Sequence, residues 1–239
     1  MNITSERIAK RMARAGLCSR REAEAMIVGR RVKVNGRLID SPALNVGPDD
    51  VIMVDNKPIA SAEATRLWLY HKSAGLMTTH KDPEGRRTVF DTLPKGMPRV
   101  ISIGRLDYNS EGLLLLTNDG ALARKLELPS TGWIRKYRVR AYGGITQSML
   151  EEMKKGVEIG GVRYGSVTAS IESHSGNNNW LLVTLAEGKN REIRKIFEHY
   201  GCQVNRLIRM SYGPFQLGKL VRGEVKEVSS KVMNSFIRV

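Results

Sequence analysis

The chain has 239 residues, 41% of them hydrophobic and 26% charged, a composition typical of a globular protein with one or two domains. It carries 39 Lys and Arg against 24 Asp and Glu, so its formal net charge of +15 favours a polyanionic partner, and nucleic acid above an acidic membrane. The sequence has no apolar run of membrane-spanning length, no secretory signal among its first residues, and no cluster of Cys or His with metal-ligand spacing.

Further features of the sequence predict the cellular compartment, the cofactor use and the oligomeric state of the protein. Cys18 and Cys202 are far apart in sequence, which favours a reducing cytoplasm over a disulfide framework. Neither a GxGxxG pattern nor a phosphate-binding loop is present, so we expect a protein that uses no nucleotide cofactor and no metal. We also expect a monomer that does not associate with membranes.

The first predicted elements are two short helices and a hairpin. Ser5 is placed to cap a first helix of about ten residues, which Gly16 ends. Ser19 and Glu22 form a capping box at the start of a second helix, and Gly29 ends it. Alternating apolar residues then flank Asn35-Gly36, a strong hairpin signal. Together they predict a small α/β module.

This module is strongly basic. Up to Arg37 it has ten Lys or Arg against three Glu, and the charges lie on the predicted helix surfaces and the hairpin. One interpretation is RNA binding, for which the candidates are Arg7, Arg11, Arg20, Arg21 and Lys33; the other is a solvated face that binds nothing. The small polar residues of ASAEAT then indicate a linker, so we predict domains over 1–60 and 66–239 joined by 61–65.

The second domain begins with a predicted strand, Leu67–Tyr70, and a long loop in which Lys72, Arg86 and Arg87 either contact RNA phosphates or are simply solvated. The stretch GRLDYNSEGLLLLTNDG follows. It places Asp107 beside Arg105, ahead of an apolar run, Leu113 to Leu116, that predicts a buried strand. A helix over 121–128 should then end at a proline.

Two later segments complete the candidate site. Strict alternation over residues 134–142 predicts a strand with Tyr137 on its apolar side. A strand over 180–185 precedes AEGKNREIRKIFEHYG, in which Asn190 is placed to cap a helix whose charged stripe includes Arg191 and Arg194. Lys189 lies in the turn between them. Taken alone, Asp107 fits a loop carboxylate that accepts amide hydrogen bonds, and Tyr137 fits a core aromatic.

The order of elements in the first 60 residues resembles the RNA-binding domain first described in small-subunit ribosomal protein four. The segments around Asp107, Tyr137 and Arg194 resemble three motifs of the bacterial ribosomal-RNA pseudouridine synthases of the RsuA and RluB types. The resemblance extends to about residue 230. The sequence NREIRK is more similar to the RluB branch than to the branch that acts on the small subunit. One departure is the turn Lys72-Ser73-Ala74-Gly75, which lacks the family's usual proline.

The resemblance implies an α+β fold, with a mixed, mainly antiparallel sheet in the larger domain. It implies an isomerase that converts a flipped-out uridine of ribosomal RNA, in the 23S RNA of the large subunit, to pseudouridine. The RNA is either free or part of an assembling subunit. Asp107 would be catalytic, Tyr137 would stack on the base, Arg194 would pair with Asp107, and Arg105 would hold the flipped nucleotide. Further RNA contacts are predicted from Lys72, Lys189 and Arg191.

Two rival functions remain at this stage. A non-catalytic RNA-binding or ribosome-assembly factor would suit the basic module equally well, but it gives no reason for Asp107, Tyr137 and Arg194 to meet in one cleft. A cofactor-dependent RNA methyltransferase would need a glycine-rich nucleotide loop, which the sequence lacks.

Overall fold

The computed structural model of the protein describes residues 5–237, and these form two compact units. The first unit contains the residues up to Arg66 together with Gly96–Ile101 and Asn118–Gly120. The second contains Leu67–Lys95, Ser102–Thr117 and the residues from Ala121 onward. The predicted boundaries at residues 60 and 65 remain a prediction.

The first unit consists of two helices and short antiparallel strands. β2, β3, β5 and β6 form a sheet in the order β3-β2-β5-β6, while β1 pairs with β4. Apolar residues of both helices and of the sheet, among them Ile8, Met12, Ile27 and Val32, form its core. Its elements are β1 (Glu6–Arg7), α1 (Ile8–Arg14), α2 (Arg20–Val28), β2 (Val32–Val34), β3 (Arg37–Ile39), β4 (Asn45–Val46), β5 (Ile52–Val54) and β6 (Lys57–Pro58).

Most local signals in this unit are confirmed. Ser19 and Glu22 form the capping box at the start of α2, and the hairpin turns at Asn35-Gly36, where both residues have positive φ. The predicted cap at Ser5 is wrong. The chain still pairs as a strand at Glu6–Arg7, so α1 begins only at Ile8 and has seven residues, with no side-chain cap. A strand pairing that the local sequence does not reveal therefore shortens the helix.

The second unit is built on one large mixed sheet. Its strand order is β13-β14-β10-β15-β9-β7-β17, with β8 beside β9 and β16 beside β15. The elements are β7 (Leu67–Lys72), β8 (Ile101–Ile103), β9 (Ser110–Thr117), α3 (Gly120–Glu127), β10 (Arg135–Tyr142), α4 (Gln147–Lys155), β11 (Val157–Ile159), β12 (Val162–Tyr164), β13 (Val167–Ser175), β14 (Asn178–Leu185), α5 (Glu192–His199), β15 (Gln203–Tyr212), β16 (Phe215–Gln216), β17 (Val225–Glu227) and α6 (Ser230–Ile237).

The sheet is antiparallel along this path except where β9 runs parallel to β15. β9 is buried along its whole length, as the leucine run predicts, and β10 alternates between buried and exposed residues. The predicted mixed, mainly antiparallel sheet and the α+β class are therefore confirmed. Within residues 5–237, no helix is both long enough and apolar enough to cross a bilayer.

The parallel pairing brings three strands together at the place where the candidate residues lie. Gly112 of β9 lies beside Arg209 of β15, and Arg209 lies beside Tyr137 of β10. Gly112 has φ +102°, and a Cβ on it would lie 2.3 Å from the Arg209 carbonyl oxygen. Only glycine allows β15 to approach so closely. The loop that carries Asp107 leads directly into β9.

Candidate active site

A cleft of about 670 Å³ in the second unit contains the candidate residues. That volume lies within the usual range for small-molecule sites, about 300–1,000 Å³. The lining comes from the loop before β9, from β10 and β15, and from the segment between β14 and α5. The lining residues are Gly104, Arg105, Leu106, Asp107, Ser110, Glu127, Arg135, Tyr137, Leu185, Ala186, Glu187, Gly188, Lys189, Asn190, Arg191, Glu192, Ile193, Leu207, Arg209 and Tyr212.

Asp107 lies in a short loop whose backbone is firmly held. Its carbonyl accepts from the Ser110 amide at 3.0 Å, and the Thr78 hydroxyl donates to the carbonyl of Leu106 at 2.8 Å. The Asp107 side chain is 31% exposed, and its carboxylate is 4.0 Å from the Arg191 guanidinium. The loop is therefore fixed through its main chain, while the carboxylate remains accessible from the cleft.

Lys72 is part of the reason that this loop is fixed. Its side chain is fully buried, and Nζ donates to four carbonyl oxygens: Ser73 at 3.0 Å, Asp107 at 3.0 Å, Tyr108 at 3.2 Å and Ser110 at 2.8 Å. Burial lowers the pKa of Lys72 to about 8. The prediction that Lys72 binds RNA phosphates is therefore wrong, because an ammonium group with no exposed surface and four internal acceptors does not reach a phosphate.

Tyr137 faces the cleft from β10 and is 8% exposed. Beside it, Arg209 is 2% exposed and donates from Nε to the carbonyl of Leu113 at 2.7 Å. Among the residues that the structure describes, the second terminal nitrogen of Arg209 has no hydrogen-bond partner, and neither has the buried Ser110 hydroxyl. Among the described residues, the cleft lining thus combines an aromatic ring with buried polar groups that have no hydrogen-bond partner.

Arg194 lies on α5 and is not among the residues that line the cleft. Its guanidinium donates to the carbonyls of Val204 at 2.7 Å and Asn109 at 3.3 Å. Burial and the neighbouring Arg191 lower the pKa of Arg194, while the charge of Asp107 opposes that shift. Arg194 therefore interacts with Asp107 at longer range, and the ion pair at 4.0 Å comes from Arg191.

Comparison with known proteins assigns the family. A family model described as RNA pseudouridylate synthase matches residues 66–199, and one described as S4 domain matches residues 6–52. An "Uncharacterized RNA pseudouridine synthase" of Rickettsia bellii (strain RML369-C) is 52% identical, over 95% of this chain and 98% of its own length. The chain belongs to the RNA pseudouridylate synthase family.

Other relatives agree with this assignment. "Ribosomal large subunit pseudouridine synthase B" of Pasteurella multocida (strain Pm70) is 41% identical, and the match covers 97% of this chain and 69% of the relative. The crystal structure titled "Crystal structure of pseudouridylate synthase" matches with a TM-score of 0.67 and 22% identity, over 95% of this chain and 98% of that one. This structural likeness concerns the fold. The predicted resemblance to the pseudouridine synthases and to the S4 domain is thus confirmed, and the protein is an RNA-modifying isomerase.

The remaining predicted RNA-binding residues of this pseudouridine synthase lie in two regions, the cleft and the first unit. Arg105, Lys189 and Arg191 are exposed and line the cleft. In the first unit, Arg20 and Arg21 are exposed, whereas three others have internal partners. Those contacts are Arg7 with the Ala43 carbonyl, Arg11 with the Glu6 carboxylate at 3.9 Å, and Lys33 with the Asn56 side chain at 2.9 Å.

The start of α5 differs from the sequence prediction. Asn190 does not cap the helix; the N-cap is Arg191, with φ +52° and no side-chain cap bond, and α5 begins at Glu192. The Lys189 amide instead donates to the Glu192 carboxylate at 2.9 Å. The buried Glu192, its neighbour Glu187 and the buried Arg209 are cleft residues that sequence reasoning missed. The only sequence signal was a glutamate and an arginine at positions next to apolar core residues.

Proposed function

We propose that this enzyme isomerises one uridine of ribosomal RNA, in the 23S RNA of the large subunit, to pseudouridine, with Asp107 as the catalytic carboxylate. The observation that carries the proposal is that Tyr137 of β10 lines one cleft with Asp107 and Arg105, which lie in the distant loop before β9. The name of the 41% identical relative, a ribosomal large subunit pseudouridine synthase, supports the large-subunit substrate. A factor that only bound RNA would not need this arrangement.

The reaction requires few chemical groups. The bond between N1 of uracil and C1′ of ribose breaks, the uracil turns, C5 bonds to C1′, and the hydrogen on C5 is lost while N1 gains a proton. No electrons or phosphate are consumed. The Asp107 carboxylate acts at the ribose, and the cleft retains the detached base. The target nucleotide is flipped into the cleft at a cost of a few kcal/mol, which backbone contacts offset.

The neighbours of Asp107 have supporting roles in this proposal. Tyr137 stacks against the base, because a flat ring with one polar edge suits a pyrimidine. Arg191 and Arg194 keep Asp107 ionised when the substrate displaces water from the cleft, since a nearby guanidinium offsets the desolvation of a carboxylate. Arg105 holds the flipped nucleotide from the neighbouring position in the loop.

The docking surface for RNA is proposed to include the S4 domain. Arg20 and Arg21 are exposed cations of this domain, and Arg7, Arg11 and Lys33 carry further charge on it. In the second unit, Lys189 and Arg191 add positive charge to the cleft. We propose that the enzyme acts as a monomer and in the cytoplasm, where Cys18 and Cys202 would remain free thiols.

The decisive test uses 23S RNA transcripts labelled with tritium at C5 of uracil. We expect the wild type to release tritium to water and Asp107→Asn to release none. Glu172→Gln is the matched control, since Glu172 is an exposed carboxylate of β13 that pairs with Arg138. Release from small-subunit RNA alone would contradict the proposed substrate. If neither transcripts nor partly assembled subunits released tritium, only an RNA-binding role would remain.

A further inference from the structure

Two buried polar groups in the cleft lining have no hydrogen-bond partner. Ser110 is 1% exposed and Arg209 is 2% exposed, and both residues line the cleft. Among the described residues, neither the hydroxyl of Ser110 nor the terminal nitrogen Nη2 of Arg209 has a partner. Buried groups of this kind are rare in native proteins, because each one gives up hydrogen bonds to water and gains none in return. Their position in a cleft indicates a ligand that supplies the missing partners.

The sheet places these two groups on the same face as Tyr137. Ser110 of β9 lies beside Leu207 of β15, and Arg209 follows two residues after Leu207. Tyr137 of β10 lies beside Arg209 on the other side of β15. Paired residues of neighbouring strands project from the same face, and so do residues two apart on one strand. Glu192, whose carboxyl also has an unpartnered oxygen, lies outside this sheet at the start of α5. The hydroxyl, the guanidinium and the aromatic ring therefore face the cleft from three adjacent strands.

The other contacts of Arg209 hold its guanidinium in place. Nε donates to the carbonyl of Leu113 at 2.7 Å, and the guanidinium carbon lies over the ring of Tyr212, 5.2 Å from its centroid. The Tyr212 hydroxyl in turn donates to the carbonyl of Leu126 at 3.1 Å, which fixes the ring. Nη2 is therefore the unused donor of a side chain whose orientation is already set.

Ser110 is fixed through its main chain, three residues after Asp107. Its amide donates to the Asp107 carbonyl at 3.0 Å, and its carbonyl accepts from Nζ of Lys72 at 2.8 Å. The hydroxyl thus belongs to a held backbone beside the proposed catalytic carboxylate. Groups that are oriented before the ligand arrives lower the free-energy cost of binding it.

The chemistry of the two groups matches the polar edge of uracil. A guanidinium only donates hydrogen bonds, whereas a hydroxyl also accepts them. Uracil has two carbonyl oxygens, O2 and O4, on either side of the N3–H donor, and enzymes that flip a base recognise it through this edge. We propose that Arg209 and Ser110 form the subsite that recognises the base: Nη2 of Arg209 donates to a uracil carbonyl, and the Ser110 hydroxyl accepts from N3–H. The inference rests on the proposed function, because the ligand is the uracil that the reaction detaches.

These two contacts are equivalent before and after the uracil turns. A half-turn about the axis through N3 and C6 brings C5 to the place of N1, exchanges O2 with O4 and leaves N3–H where it was. Nη2 of Arg209 therefore meets a carbonyl oxygen in both orientations, and the Ser110 hydroxyl keeps the same partner. The subsite retains the detached base without opposing its rotation.

The first test uses Ser110→Ala, because this change should affect stability and activity differently. Removing a buried hydroxyl that has no partner should leave the melting temperature unchanged or raise it by up to about 4 °C. Single-turnover tritium release should slow about 3- to 10-fold, because the base loses one hydrogen bond. Ser170→Ala makes the same change at an exposed position of β13 and should alter neither quantity. A purely structural role for Ser110 would instead lower the melting temperature.

Two binding measurements test the contacts without catalysis. In the whole protein labelled with ¹⁵N-arginine, added uracil should shift the side-chain NMR signals of one arginine, and those signals should be missing from Arg209→Met. Arg163→Met, at an exposed position of β12, should retain them. Uracil should bind the wild type at least about tenfold more tightly than 3-methyluracil, which lacks N3–H. In Ser110→Ala this ratio should fall to about threefold or less, because no hydroxyl remains to be left unpaired and the smaller side chain leaves room for the methyl group.

Three results would each overturn the inference. They are equal tritium release by Ser110→Ala and Ser170→Ala, uracil that leaves the Arg209 signals unchanged, and a preference for uracil over 3-methyluracil that is absent from the wild type or retained in Ser110→Ala. If the wild type released no tritium from ribosomal RNA, the proposed function would fail. The two binding measurements would then still decide whether Arg209 and Ser110 bind uracil.

Discussion

Replacing Lys72 by methionine should weaken both the fold and the activity of the enzyme. The ammonium group has three N–H donors for its four carbonyl partners at 2.8–3.2 Å, and charge-assisted bonds of this kind contribute about 2 kcal/mol each, about 6 in total. Against this, the lowering of the pKa from 10.5 to about 8 corresponds to a cost of about 3 kcal/mol for holding the charge in the fold at neutral pH. The net expected loss is about 3 kcal/mol.

That loss corresponds to a decrease in melting temperature of about 6–12 °C for a protein of this size. Since two of the carbonyls belong to Asp107 and Tyr108, the Asp107 loop should also shift, and a displacement of about 1 Å in the proposed catalytic carboxylate is enough to lower the rate about 100-fold. Calorimetry and single-turnover tritium release measure the two effects. Lys226→Met makes the same change at an exposed position of β17, beside β7. A Lys72→Met protein with the same melting temperature and the same rate of tritium release as the Lys226→Met control would refute this reasoning.

Three further predictions follow from the site and its surroundings. Gly112→Ala should lower the free energy of unfolding in urea by at least about 3 kcal/mol, since the new Cβ would lie 2.3 Å from a carbonyl oxygen at φ +102°; Gly218→Ala, at φ +57° in open space, should cost only about 1 kcal/mol. Arg194→Met should slow single-turnover tritium release about 100-fold and leave RNA affinity unchanged, because Arg194 acts on Asp107 and does not line the cleft; an equal loss of affinity would contradict this. Replacing Arg20 and Arg21 by glutamine should reduce the slope of log affinity against log salt by about 0.7–0.9 for each phosphate contact removed, and an unchanged slope would show that neither residue contacts RNA.

Local sequence patterns predict much of the fold. The leucine run predicts the fully buried β9, strict alternation predicts which side of β10 carries Tyr137, and the capping box gives the start of α2. Each signal comes from neighbouring residues and depends on the period of one element. Such patterns indicate which face of an element is buried, but they do not indicate what lies against it.

The parts that sequence reasoning missed depend on contacts between distant segments. Lys72 belongs to a polar stretch that looks exposed, and only the approach of the Asp107 loop, 35 residues later, buries it. Arg209 lies beside Gly112 because β15 pairs in parallel with β9, a strand pairing that no local sequence pattern predicts. In each case a polar side chain is buried because its partner is supplied from elsewhere.

The contacts of these buried polar residues leave the carboxylate of Asp107, the proposed catalytic group, available to substrate. Lys72 holds the Asp107 loop by its carbonyl oxygens, and Arg194 holds it through Asn109, so neither cation occupies the carboxylate itself. Among the residues that the structure describes, the Asp107 carboxylate has one ion pair, with Arg191 at 4.0 Å, a separation at which the two charges attract each other. A carboxylate already engaged by two or three donors would have to give them up before it acted at ribose. Because Lys72 and Arg194 hold the loop by its main chain, the proposed catalytic carboxylate would act at ribose without first losing such bonds.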